Sequence, residues 1–156
     1  NIRLTIAGSG PLERKLRELR GELNITDTVD FLGMVPQDKL PDLYRRATLS
    51  IFPFVVTKSG VQEGFGLVVV EAMGCACPVI AGDLPAMNDT IKNGENGLLA
   101  PSGKPQALAE TITKLLDDPE LRARLAGEGR KRVLQKFDWE IIAGKYAEIY
   151  GELIHP

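Results

Sequence analysis

The chain has 156 residues, 44% hydrophobic and 26% charged, a balance that supports one packed domain and excludes a disordered chain. Its 19 Lys+Arg against 21 Asp+Glu leave a formal net charge of −2, which speaks against a nucleic-acid binder of the usual basic kind. No apolar run approaches the roughly 20 residues of a transmembrane helix, the two cysteines cannot build a disulfide framework and suit a reducing, cytoplasmic setting, and the single histidine, His155, is the next-to-last residue, which nearly excludes imidazole chemistry.

Residues 1–7 alternate polar and apolar positions and predict a strand. A strand that starts at the first residue suggests a piece of a longer chain. Gly8-Ser9-Gly10-Pro11 turns the chain into a helix, with Leu12, Leu16, Leu19 and Leu23 at helical spacing. Residues 29–32 read as a strand ending at Gly33. A helix over 36–47 follows, with Leu40, Leu43 and Tyr44 on one face. Residues 49–52 form a strand stopped by Pro53, and a polar loop over 56–62 leads to Glu63-Gly64-Phe65-Gly66. The apolar run 67–76 is a helix and 78–81 a buried strand. A short helical stretch lies near 88–93, with a last strand at 97–99. From about 104 to 154 the pattern gives three helices, punctuated by Asp117-Asp118-Pro119 and by Phe137-Asp138-Trp139.

Short apolar strands alternating with amphipathic helices imply an α/β fold, a Rossmann-like doubly wound parallel sheet covered on both faces. Ligands of such sheets sit outside the carboxyl ends of the strands. Those ends are Gly8-Ser9-Gly10, Gly33, the loop 53–63, Gly82-Asp83 and Ala100-Pro101.

Residues 63–73 are the informative stretch. Glu71 interrupts an apolar run, where a carboxylate is costly unless paired or hydrogen-bonded. Gly64 and Gly66 flank a helix start, where free N–H groups and the positive dipole end favour a phosphate. Glu63 and Glu71 are about 12 Å apart if the span rises as a helix, comparable with the reach from a ribose diol across a diphosphate to a hexose. Carboxylates accept well from vicinal hydroxyls. The segment therefore suits a sugar nucleotide.

Glu63 to Glu71 resembles the Glu-x7-Glu motif of the retaining glycosyltransferase group 1 family, which has the two-domain GT-B fold. Ala7-Gly8-Ser9-Gly10-Pro11, Glu71-Ala72-Met73-Gly74, Pro78-Val79-Ile80-Ala81, Asn93-Gly94-Glu95-Asn96-Gly97 and Phe137-Asp138-Trp139 agree in order. The resemblance implies that residues 1–156 are a single donor-binding domain, the C-terminal half of a GT-B enzyme, with 104–156 as its helical part. The first strand of that domain and the N-terminal acceptor domain are expected to be absent. The implied activity is transfer of a sugar, of the hexosyltransferase type, from a nucleoside diphosphate sugar to an acceptor hydroxyl. The fragment alone is expected to be inactive as a transferase.

By the same resemblance Glu63 contacts donor-sugar hydroxyls and is the candidate catalytic residue, while Glu71 holds the ribose. The segment Gly64, Phe65, Gly66, Leu67 and Val68 lies near sugar and diphosphate through its backbone amides. Gly8 and Gly10 map to the Gly-x-Gly turn, and Gly33 to the strand end near the base. No cofactor is expected, nor any metal held by the protein. The partners implied are the donor and an acceptor glycan, lipid or small molecule bound through the absent domain. The location is cytoplasmic, or peripheral at the membrane in a full-length protein.

The family's Arg and Lys, which bind the diphosphate, precede the first strand seen here. Its Gly-Gly-x-Pro-Glu stretch reads Pro85-Ala86-Met87-Asn88-Asp89. A stand-alone, non-catalytic nucleotide-sugar binding module is the alternative. A dinucleotide-binding oxidoreductase lacks support, because position 13 is Glu where a third glycine is needed. A phosphorylase or epimerase on the same fold is disfavoured by the two glutamates. Cys75 and Cys77 read as small buried thiols, Lys58 as a loop lysine, and the charged run 122–132 as a solvated helix face. Asp138 is an expected N-cap, with Trp139 packing on the first turn.

Overall fold

Residues 2–154, the part that the computed structural model describes, carry two parallel ladders, one in each of the units Asn1–Leu40 and Pro41–Pro156. Asn1 and His155 lie outside the described residues.

In the first unit β1 (Leu4–Ala7) pairs with β2 (Val29–Gly33) across α1 (Glu13–Glu22). The strand begins at Leu4, whose N–H donates to the Thr28 carbonyl at 2.8 Å, and not at the chain's first residues. The register slips between Ile6 and Ala7, so that Ala7 lies opposite Gly33. The leucine stripe of α1 is uncovered: Leu12 is 63% and Leu23 57% exposed, and the helix buries no residue. Instead, Arg17 and Arg20 lie over the Phe31 ring, at 4.5 and 5.6 Å from its centroid. Asn24, in the left-handed region at φ 54°, ends the helix as a cap.

The second unit holds β3 (Ser50–Phe52), β4 (Val79–Asp83) and β5 (Leu98–Pro101), paired in that order. Both ladders are parallel, and helices cover both faces of the second, as the Rossmann-like α/β expectation requires. The expected helix over 36–47 divides into a 3-10 turn (Gln37–Lys39) and α2 (Leu40–Arg46). Pro41 has no N–H and tolerates only the first helical turn, which sets where α2 begins.

Strand β4 explains the two cores. Val79 and Ala81 point to one face, among Val69, Ala72 and Met73 of α3 (Leu67–Gly74) and Met87 of α4 (Met87–Thr90). Ile80 points to the other, among Leu98, Ala100, Leu115 of α5 (Pro105–Asp117) and Leu125 of α6 (Pro119–Lys136). Val79, Ile80 and Ala81 are fully buried. Burial contributes about 1.5–3 kcal/mol for each Val or Ile so enclosed. Cys77 is the buried thiol expected, 3.1 Å from the Ser50 hydroxyl, whereas Cys75, also free, is only half-buried.

The charged run on α6 is largely the solvated face expected, with Arg124, Glu128, Arg130 and Lys131 exposed, but three of its arginines also reach the ends of other helices. Arg122 donates to the Leu115 carbonyl at 2.8 Å and also to that of Leu116, at the end of α5. Arg130 reaches the Gly74 carbonyl at the end of α3 at 3.2 Å. Arg132 reaches the carbonyls of Thr90 at 2.8 Å and Asp89 at 2.5 Å, in the last turn of α4. Each guanidinium satisfies orphan carbonyls and complements the negative end of a helix dipole. Asp118 caps α6 by accepting from the Leu121 N–H at 2.8 Å, with Pro119 at the first position. Asp138 likewise accepts from the Glu140 N–H at 2.9 Å at the start of α7 (Trp139–Ile154). Trp139 itself is 83% exposed and does not pack on that turn, and α7 buries no residue.

Arg132→Ala is expected to lower stability by about 1–3 kcal/mol, because two carbonyls lose a charged donor. Lys131→Ala, whose Glu128 partner at 3.7 Å is exposed, should change it by less than about 0.5 kcal/mol. Urea midpoints of the two variants measure the difference, and equal midpoints would show that the Arg132 contacts carry no stability.

Candidate functional site

The turn before α3 is built around one carboxylate oxygen. Glu63 Oε1 accepts from the backbone N–H groups of Gly64 at 3.0 Å, Phe65 at 3.1 Å and Gly66 at 3.0 Å. Three donors on one oxygen favour the ionised form, and the carboxyl is held below its ordinary value of 4.5, with Phe65 and Gly66 the main causes. Gly66 is the N-cap of α3 at φ 77° and ψ 52°, a left-handed geometry that glycine adopts without penalty.

This arrangement corrects one expectation. The Phe65 and Gly66 amides are not open to a ligand in this state, because Glu63 occupies them. The Leu67 and Val68 amides come next. They occupy the first two positions of α3, where no carbonyl one turn earlier in the helix receives them.

Helix α3 then sorts its apolar run by face. Val69, Val70, Ala72 and Met73 are buried, whereas Leu67 and Val68 are 58% and 37% exposed and Glu71 is half-buried on their side. Leu67, Val68 and Glu71 share that side because residues three and four apart are neighbours on a helix. Glu71 therefore interrupts the apolar sequence from the edge of the core, half-buried and with its Oε2 enclosed. Tyr44 on α2 lies within its field. Burial first, then the Glu71 charge, Cys75 and Cys77 push the Tyr44 phenol up to about 12.

Two residues to which the sequence reading gave no role at the site support the turn. Met87 is fully buried behind Gly66: a Cβ on that glycine would meet the Met87 Cε at 2.8 Å and Sδ at 3.2 Å. Phe65 meets Phe137, between α6 and α7, edge to face at 5.8 Å. Met87 falls in the altered stretch 85–89, the one sign that this loop does something particular here. Nothing in the sequence pairs it with Gly66.

Gly8, Gly10 and Gly33 belong to the first unit. The Gly8 N–H donates to the Gly33 carbonyl at 2.7 Å, and both glycines have positive φ, 115° and 67°. Gly10 accepts from the Glu13 N–H at 3.0 Å and opens α1. These three positions gather at the carboxyl ends of β1 and β2. Glu63 to Glu71 are held separately in the second unit.

A small cavity of about 160 Å³ at the ends of β3, β4 and β5 is lined by Pro53, Phe54, Gly82, Pro101, Ser102 and Lys104 among others, and by none of residues 63–71. Among the described residues no His, Cys, Asp or Glu cluster is arranged to hold a metal ion, and no helix is long and apolar enough to cross a membrane. Lys58 is exposed in its loop.

The sequence profile of the glycosyl transferases group 1 family matches residues 1–132. A D-inositol 3-phosphate glycosyltransferase of Streptomyces bingchenggensis is 33% identical over 147 residues, covering 94% of this chain. The chain spans 31% of that relative's length. Sucrose-phosphate synthase from Thermosynechococcus elongatus superposes with a TM-score of 0.84 at 34% identity, over 97% of this chain and 38% of that one. Anabaena HepE in complex with UDP superposes at 0.86 with 26% identity, over 97% of this chain and 41% of that one. HepE has also been solved with UDP-glucose.

The Glu63 turn has a pH signature. The carboxyl titrates lower in the folded chain than in the unfolded one, so its stabilising contribution is present above about 4.5 and is lost as pH falls through the folded value. The denaturation midpoint of the wild type is expected to fall more steeply below pH 4.5 than that of Glu63→Gln. Parallel curves for the two proteins would show that the carboxylate does not hold the turn.

Proposed function

Because the chain belongs to the glycosyl transferases group 1 family and has the Rossmann-like α/β fold of the C-terminal half of a GT-B glycosyltransferase, we propose that it binds the nucleoside diphosphate sugar donor of a retaining sugar transfer. The observation that carries this reading is a single run of chain. The amide-bound Glu63 leads directly into α3, and Glu71 follows on the side of that helix that stays outside the core.

The parts have distinct roles. The start of α3 presents the Leu67 and Val68 amides and the positive end of its dipole to the donor diphosphate. Glu71 accepts hydroxyls of the ribose, and Glu63 meets hydroxyls of the sugar. Gly8, Gly10 and Gly33 let the backbone of the first unit come close to the nucleotide. Residues 1–156 act as one donor-binding domain, and 104–156 are its helical part. The acceptor, a glycan, lipid or small molecule, is held by other parts of the parent protein, in the cytoplasm or at the membrane surface. Catalysis rests on positioning and on stabilising charge at the departing diphosphate, with no metal held by the protein. The UDP and UDP-glucose complexes of HepE support uridine donors as the first to try.

Calorimetric titration of UDP, GDP, ADP and their sugars, with wild type and Glu71→Ala, tests the assignment. Saturable binding of one base series is expected, weakened by about 1–3 kcal/mol in the variant. Binding that Glu71→Ala leaves unchanged would remove the ribose role. If no nucleotide binds, an N-terminally extended protein that regains binding would place the missing contacts upstream. Continued silence would overturn the reading.

A further inference from the structure

The geometry points to Met87 as a positioning residue of the donor site, acting through Gly66 to hold the turn on which Glu63 is mounted. The inference rests on the donor-binding reading for its functional meaning, but its structural content stands on the turn alone.

The argument starts from contact. Gly66 is buried and left-handed, and the space where its Cβ would stand is taken by the Met87 Cε and Sδ and by Val69 Cγ2 at 3.4 Å. A residue in the left-handed region has few alternative backbone conformations that keep its neighbours in place. A thioether filling the place a Cβ would take blocks the way inward. The Gly66 amide is one of the three on Glu63 Oε1, and the Gly66 carbonyl receives the Val69 N–H at 2.9 Å in the first turn of α3. A shift at Gly66 therefore moves the carboxylate and the start of the helix together. Flexible, unbranched Met suits a gap of this irregular shape.

The origin of Met87 matters too. It opens α4, directly after Pro85 and Ala86, which stand where the family resemblance leads one to expect two glycines. The 85–89 loop here is thus tied to the donor turn from behind, by an apolar contact inside the first core. Arg132 holds the other end of α4 through the Asp89 and Thr90 carbonyls, so the element bearing Met87 is fixed at both ends.

The test compares two buried truncations. Met87→Ala removes the support. Leu115→Ala opens a void in the second core, on the opposite face of the sheet, and serves as the control for general loosening. Carbon-detected titration of the Glu63 carboxyl and the ¹⁵N–¹H shifts of Gly64, Phe65 and Gly66 are read in each protein without any ligand. In Met87→Ala the Glu63 midpoint is expected to rise toward the ordinary carboxylate value and the three amides to lose their hydrogen-bonded shifts. In Leu115→Ala both should stay as in the wild type. Met87→Leu, which restores bulk, should recover most of the wild-type behaviour and serves if Met87→Ala does not fold. Donor affinity, read separately, should drop about tenfold in Met87→Ala, the equivalent of roughly one weakened hydrogen bond. Unchanged Glu63 titration in Met87→Ala, or an equal change in Leu115→Ala, overturns the inference. If the turn responds as expected while no variant, wild type included, binds a donor, the positioning stands and the donor reading fails.

Discussion

The second unit depends on the alternation of a single strand. Successive side chains of β4 point to opposite faces, so Val79 and Ala81 fill one core and Ile80 the other. A strand enclosed on both sides leaves no polar position among those three. Within this unit the candidate-site segment is built on this strand. Helix α3 packs on one side of it through Val69, Ala72 and Met73, and that contact decides which of its residues remain outside.

The polar groups then follow a consistent rule: charges settle where backbone groups lack partners. Glu63 gathers three amides at a helix start. The arginines of α6 gather carbonyls at the ends of α3, α4 and α5. Both are answers to the unsatisfied groups that every helix terminus carries. Burial opposes the ionised form of Glu63, but the amide hydrogen bonds outweigh it and leave the carboxyl with a lowered pKa. In the first unit charge also replaces apolar packing, since Arg17 and Arg20 cover Phe31 while the leucines of α1 stay exposed.

Much of the architecture was legible because periodicity reports local geometry. The strands at 29–33, 50–52, 79–83 and 98–101 and the three C-terminal helices lie within a few residues of their predicted places. Asp138 caps its helix as expected, and Asp118 caps α6 within the stretch read as a break between helices. The Glu-x7-Glu stretch marked the turn and helix on which the candidate site is built. What failed to show was whatever depends on distant contacts. Arg122 to Arg132 has the composition of a solvent face, and its carbonyl partners lie far away in sequence. Trp139 looked like a packing residue and is exposed. Leu12 to Leu23 has the spacing of a buried stripe and lacks a cover within its unit.

By itself the sequence determined the class of fold, the order of its elements and the segment of the candidate site, since these depend on residue type and on spacing along the chain. Tertiary structure alone decided that Glu63 binds its own following amides, that Glu71 stands half-buried at the edge of the core it interrupts in sequence, and that Met87 stands behind Gly66. Those outcomes depend on how α3 and the loop after β4 pack on the sheet. A side chain's partner across a packed interface is set by three-dimensional distance, which no local period encodes.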